Sequence, residues 1–345
     1  MQPGKASARV GRAFSGPRIA PLDTLRGIAI LMVIAAHFWP PLVLPPGPDA
    51  VMQSLGVGGV LLFFLLSGYL IYRNVQRQPL FVFLERRLFK LMPAYWLNVA
   101  AMLALGLVLP DSPPVSLRTY LANFLMVPDL ARTPLVNGVY WTLVIEIKFY
   151  LLIAVQNRFL GDRWRLCVPA AIAAVNLAFW MTTGRGSTLL TYLPVFYIGI
   201  EIYRAERDGW TRAGRLRVAL VIVAIAGSLA LFVTERPLAN AAYILFDAAL
   251  FMTVLSLGWQ AGWLNYFGRI SYSLYLFHTT IGYPMVLGLQ RWGLAAPLGG
   301  ALAAAASILV AHVLFRCVEE PGVRAGRRLE TYRTAGKPLH FSGGV

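Results

Sequence analysis

Arg26 and His37 lie eleven residues apart in the apolar run LDTLRGIAILMVIAAHFW. In a helix that is about three turns, so the two side chains share a face and stand ~16 Å apart along the axis. An ionisable group inside an apolar span costs free energy and usually faces a pathway or a site. Histidine is also the side chain best suited to take a proton near neutral pH. The structural alternative is an Asp23–Arg26 pair at the membrane edge and a histidine hydrogen-bonded within the bundle. A second constellation is FLERRLFKLMPAYW, where Arg86, Arg87 and Lys90 crowd the mouth of one helix and Pro93 follows one turn deeper. Arginine grips phosphate bidentately and lysine binds it as a point charge, although such a cluster also serves simply to fix orientation. Glu146, in VYWTLVIEIKFYLLIAV, sits about two turns into its helix, at a depth similar to that of His37. A carboxylate beside a histidine orients the ring and stabilises its protonated form; alternatively Glu146 makes an interhelical pair that only fixes packing. Lys148, two residues on, points to a different face.

Ser67, just before Gly68, has no base near it in sequence and reads as a packing or backbone-bonding hydroxyl rather than a nucleophile. His278 falls near the middle of the run ISYSLYLFHTTIGY, His312 within the last span and His340 in the tail. None of these forms a metal-ligand set, and no metal is expected. Neither a Gly-rich phosphate loop before a helix nor a Gly-x-Ser-x-Gly elbow is present. Cys167 and Cys317 have no metal-ligand spacing and are read as structural.

The elements that must position these residues are apolar helices. Of 345 residues, 58% are apolar and 13% charged, against about 25% charged in an ordinary soluble domain. A chain of this composition could not cover soluble cores with polar surface, so the expected fold is an all-α, polytopic integral membrane bundle. Apolar stretches at 20–39, 56–72, 88–109, 140–157, 166–183, 188–203, 218–234, 239–258, 270–290 and 296–316 predict about ten transmembrane helices. Residues 117–127 are too short to span and are placed on the outer surface. The net charge of +16 is explained by basic loops that set membrane orientation, not by nucleic acid. Counted along the alternating loops, 25 basic residues fall on one side and 5 on the other, which puts both termini in the cytoplasm. The division expected is a basic cytoplasmic tail over 1–18, a transmembrane domain over 19–318 and a basic cytoplasmic tail over 319–345. The first eighteen residues lack the apolar run of a cleavable signal, so the following helix is expected to stay as an anchor. Glu319, in CVEEP, is expected to meet cytoplasm beside the arginine-rich helix ends.

Taken in order, LDTLRGIAILMVIAAH, GVLLFFLLSGYLI, RRLFKLMPAYW, WTLVIEIKFYLL, GRISYSLYLFH and VEEP resemble the acyltransferase 3 family of membrane acyltransferases, from residue 22 to 321. The resemblance implies transfer of an acyl group, usually acetyl, from cytoplasmic acyl-CoA to exported or lipid-linked glycans at the bacterial inner membrane. Some relatives modify macrolides or peptidoglycan instead. It implies that His37, separated from Arg26 by ten residues, is the catalytic base. Where the family usually has a third arginine in its basic motif this chain has Lys90, which keeps the charge but not the bidentate grip. The Trp-Ser/Thr-Leu-x-x-Glu-x-x-Phe-Tyr pattern falls on Trp141, Thr142, Leu143, Glu146, Phe149 and Tyr150, and the histidine of Ser-Tyr-x-x-Tyr-Leu-x-His on His278. Ser67, Tyr95, Trp141 and His278 become substrate-site candidates. Many relatives append a periplasmic hydrolase-like domain. This sequence ends at Val345, so transfer is expected to be completed in the membrane domain or handed to a separate glycan-assembly partner.

The residues and the resemblance suggest one mechanism. The phosphates of CoA rest on Arg86, Arg87, Lys90 and Arg26, and the pantetheine arm runs up beside the first helix. His37 deprotonates a sugar hydroxyl, whose oxygen attacks the thioester, while Glu146 orients or charge-stabilises His37. A transporter using intramembrane Arg, His and Glu as a relay is the rival from another class, and a catalytically inert glycan-binding scaffold is a third.

Overall fold

A computed structural model of the chain describes residues 19–38, 49–108, 115–161, 165–233 and 236–335. Segments 1–18 and 336–345 of the expected tails, and 39–48 between the first two apolar stretches, lie outside the described residues. The described residues form thirteen α-helices and no strand. Helices α1 (Ala20–Phe38), α2 (Asp49–Val75) and α3 (Leu80–Val108) are followed by a short α4 (Leu117–Phe124). After α5 (Tyr140–Val155) and α6 (Cys167–Thr183) come a single turn, α7 (Thr188–Tyr192), and α8 (Phe196–Arg207). The chain then runs through α9 (Arg212–Phe232), α10 (Pro237–Leu257), α11 (Gly262–Arg291), α12 (Ala296–Leu314) and α13 (Glu320–Ala335).

Each of the ten expected stretches is helical in whole or part, though among the described residues not all reach the length and apolarity of a span. Six helical segments are long and apolar enough to cross a bilayer: Ala20–Phe38, Leu55–Val75, Leu80–Val108, Arg212–Phe232, Pro237–Leu257 and Ala296–Leu329. The others fall short for identifiable reasons. Helix α5 has 16 residues before a π-turn over Gln156–Leu160, and α6 has 17. The 188–203 stretch breaks at a 3₁₀ turn containing Pro194, which supplies no amide hydrogen. Helix α11 is long, at 30 residues, yet carries Arg269, Ser271, Ser273, His278, Thr279 and Thr280, and these polar groups dilute its apolar character.

Helix α1 packs between α2 and α11, and α8 lies against α2. Two crossings bring backbones into contact. At Gly27 a Cβ would lie 2.1 Å from the carbonyl oxygen of Leu264, and at Gly268 one would lie 2.0 Å from that of Asp23, so α1 and α11 meet through reciprocal glycines. Gly68 and Gly199 do the same for α2 and α8, at 1.9 Å from Phe196 O and 2.0 Å from Leu65 O. Small residues are what allow membrane helices to approach this closely, where dispersion rather than hydrophobic exclusion binds them. The crossings fix Arg26, Arg269 and Ser67, each next to one of these glycines, around a common space.

Pro93 denies the Phe89 carbonyl its helical amide partner. Gly322 of α13 comes up at that carbonyl, where a Cβ would be 2.6 Å away. Helix α12 enters α13 through a second π-turn, Phe315–Glu319, and π-turns frequently mark functional positions in helices. This one turns Glu319 inward: its residue is 5% exposed, and Ser273 Oγ donates to its Oε2 at 3.1 Å. The expectation that Glu319 meets solvent is therefore corrected.

Candidate active site

Two cavities among the described residues gather the candidate side chains. The smaller, about 90 Å³, is lined by Arg26, Arg87, Lys90 and Arg269 together with Glu146 and Glu319. Four cations face two carboxylates in a space otherwise walled by apolar and hydroxyl-bearing side chains. Arg26 leans on Asp23 at 3.9 Å. The guanidinium of Arg87 lies 5.7 Å from the Phe83 ring centroid and 5.8 Å from that of Tyr150. Lys90 has no hydrogen bond or close ion pair among the described residues. Arg26, Arg87 and Lys90 are half-buried and Arg269 is exposed, and an excess of positive charge held partly out of water favours an anion that completes it. The carboxylate of Glu146 accepts hydrogen bonds from Ser67 Oγ, at 2.5 Å, and from the Tyr150 hydroxyl one turn on. Ser67 therefore holds Glu146 in place through a charge-assisted bond. Arg86 does not line this cavity: it follows a different direction from Arg87 on the same helix, about 100° away.

The larger cavity, about 760 Å³, contains His37 and Trp141. His37 Nδ1 lies 2.8 Å from the Val33 carbonyl oxygen, so that nitrogen carries the hydrogen and Nε2 keeps its lone pair. His278 packs edge-on against it, with centroids 4.7 Å apart and planes at 80°. His278 is fully buried; its Nδ1 is 2.8 Å from Tyr275 O and its Nε2 has no hydrogen-bond partner among the described residues. At the cavity wall a buried network joins α3, α5 and α11 with the loop that precedes α5. Asn98 donates to Leu276 O at 3.1 Å and to Thr280 Oγ1 at 3.0 Å, and Tyr140 donates to Asn98 Oδ1 at 2.6 Å. Asn137 donates to Thr280 Oγ1 at 3.1 Å and accepts from Thr279 at 3.0 Å. Every member is satisfied at least once, which fixes the entry of α5 and thereby Trp141.

The structure brings Arg26, Arg87, Lys90, Ser67 and Glu146 together at one cavity, and His37, His278 and Trp141 at or beside the other. It does not bring Glu146 to His37. Glu146 spends its oxygen on Ser67 and Tyr150, while the ring of His37 meets Val33 and His278, so the expectation that Glu146 orients His37 is corrected. Tyr95 lines neither cavity; fully buried, it donates to Asn123 O at 2.6 Å and holds α4 against α3. Reasoning from sequence did not single out Arg269, Asn98, Asn137 or Tyr275, and it placed Glu319 at the solvent rather than in the site. A polar residue within an apolar run was the available signal for the first four. Among the described residues no group of three His, Cys, Asp or Glu side chains converges, and Cys167 and Cys317 are free and exposed.

A family model described as an acyltransferase domain matches residues 19–316. The chain is 29% identical over 296 residues to the exopolysaccharide production protein ExoZ of Rhizobium meliloti, covering 79% of this chain and 92% of that protein. It is 25% identical to the O-acetyltransferase OatA of Staphylococcus aureus over 81% of this chain, which spans about half of that relative's length, 52%. Nodulation protein 10 of Rhizobium leguminosarum bv. viciae is 25% identical over 88% of this chain and 92% of its own. No solved structure matches the chain.

Proposed function

Because the chain belongs to the acyltransferase family whose domain matches residues 19–316, we propose that it transfers an acyl group, acetyl foremost, from acyl-CoA to a hydroxyl of an exported or lipid-linked glycan. The observation that carries this reading is the basic cavity, where four cations outnumber two carboxylates. The phosphates of CoA supply the missing negative charge. Arg87 and Arg26 take them through paired N–H donors and Lys90 as a point charge, with Arg86 left at the flank. The printed names of the relatives, exopolysaccharide production and O-acetyltransferase among them, favour a polysaccharide acceptor.

In this scheme the acceptor hydroxyl enters the larger cavity and gives its proton to His37 Nε2, the nitrogen left free by the Val33 contact. The oxygen attacks the thioester carbonyl, the C–S bond breaks, and the departing CoA sulfur takes a proton. His278 restricts the rotation of the His37 ring and is a positioning residue. The basic cavity faces the cytoplasm of a bacterial inner membrane, with both termini on that side, as the 25-to-5 distribution of basic residues favours. The four less apolar helical stretches complete about ten crossings within a domain over 19–318, and a separate glycan-assembly partner presents the acceptor.

The test is transfer of labelled acetyl from acetyl-CoA to glycan in vesicles containing the purified protein. His37→Ala should lower kcat by roughly 10²–10⁴-fold, and His278→Ala by less. A folded protein that uses no acyl-CoA, or a His37→Ala variant with normal kcat, overturns the scheme.

A further inference from the structure

The basic cavity and the histidine cavity meet at a wall of side chains. Val60 of α2 and Tyr275 of α11 line both. Tyr275 reaches across to α5, its hydroxyl 2.7 Å from Thr142 Oγ1 and 3.1 Å from the Val139 carbonyl oxygen, and Thr142 Oγ1 lies 3.1 Å from that same carbonyl. Two hydroxyl protons thus serve three oxygens. Either Tyr275 donates to Val139 and Thr142 to Tyr275, or Thr142 donates to Val139 and Tyr275 to Thr142. Each arrangement bonds two of the three contacts and pins the ring between the cavities. Phe63 meets that ring edge-on, with centroids 6.2 Å apart. The space on the basic side is about 90 Å³ and that on the histidine side about 760 Å³, and the lining residues they share, Val60 and Tyr275, stand where the one gives way to the other.

We propose that Val60, Phe63, Thr142 and Tyr275 form the acyl-size filter of the enzyme. Closed, the partition separates the two cavities; with the Tyr275 ring swung from its tether, it passes a short acyl thioester toward His37 and rejects longer chains. The inference rests on the reading that the donor occupies the basic cavity and the acceptor the other. Tyr275 acts here by position and needs no bond to the acyl group.

Two measurements test it in the full-length protein. With acetyl-, propionyl- and butyryl-CoA as donors, the wild type should favour acetyl over butyryl by at least about tenfold in kcat/KM, the scale on which one or two methylenes are discriminated. Val60→Ala and Tyr275→Phe should each shrink that ratio about tenfold, and Val60→Phe should enlarge it. A merely structural role would lower all donors alike. In a background lacking Cys167 and Cys317, Ser67→Cys places a thiol in the basic cavity. A membrane-impermeant maleimide applied from the histidine-cavity face should leave it unlabelled, and adding Tyr275→Ala should speed labelling at least about tenfold. Transfer with a donor ratio that none of the three variants moves, or labelling indifferent to Tyr275→Ala, overturns the filter alone. Absence of transfer from every acyl-CoA by the folded wild type overturns the donor reading and the filter with it.

Discussion

At the residue scale, the legible part of the site was the list of polar groups stranded in apolar sequence. Their pairing was not legible. Glu146 and His37 are at similar helical depths, which suggested a dyad, but depth says nothing about which neighbour a helix turns each residue toward. Ser67 and Tyr150 take the Glu146 carboxylate, and the Thr142–Tyr275 contact lies between the two cavities. Arg86, Arg87 and Lys90 read as one cluster in sequence, yet only Arg87 and Lys90, one turn apart, line the cavity. This separation gives a prediction. Neutralising Arg87 and Lys90 together should raise the KM for acyl-CoA at least about tenfold with a smaller change in kcat, because phosphate binding is shared by ground and transition states. Arg86→Gln should leave KM within about threefold. Steady-state kinetics on correctly inserted protein checks both, and equal effects from the two changes would return Arg86 to the site.

At the scale of elements, hydropathy marked the helices well and their boundaries poorly. Helix α11 is the instructive case, since the same polar residues that weaken its claim as a span furnish Arg269, Ser273, Tyr275 and His278. The π-turn that rotates Glu319 inward leaves no trace in composition. Reciprocal glycine crossings likewise cannot be told in advance from glycines that touch nothing. Gly268 and Gly227 distinguish the two kinds. Gly268→Ala forces a Cβ against the Asp23 carbonyl and should cost about 1–3 kcal/mol, with Arg269 and Arg26 displaced and the donor KM raised. Gly227, in the middle of α9, has nothing among the described residues within 4 Å of its Cβ position, so Gly227→Ala should stabilise by about 0.4–1 kcal/mol. Unfolding in detergent, followed by denaturant or heat, reads both; equal stability of the two variants would contradict the close crossing.

At the scale of the whole molecule, charge distribution rather than hydropathy sets the expected direction of insertion. Leu130, 74% exposed, belongs to a loop between stretches poor in basic residues, whereas Gln76 neighbours Arg73 and Arg77. In a background without Cys167 and Cys317, a thiol from Leu130→Cys should react with an impermeant reagent applied to intact cells. One from Gln76→Cys should react only after the membrane is opened. Reversal of that pattern would invert the orientation and move the donor cavity to the outside. The number of crossings is tested by extending the same labelling to the turns flanking α6 and α7, whose helices are too short for their sequence alone to decide.

The imbalance of charge in the basic cavity also bears on how the protein behaves between turnovers. On the proposed donor reading, removing the acyl group from CoA leaves every phosphate in place, so a site built on those phosphates would hold the spent carrier almost as firmly as the loaded one. Free CoA should therefore compete with acyl-CoA. It should also act as a conformational ligand, adding about 2.7 kcal/mol of stability at a hundred times its Kd. The empty enzyme is then the least stable member of the cycle, and its heat resistance in detergent should track the ratio of free coenzyme to Kd.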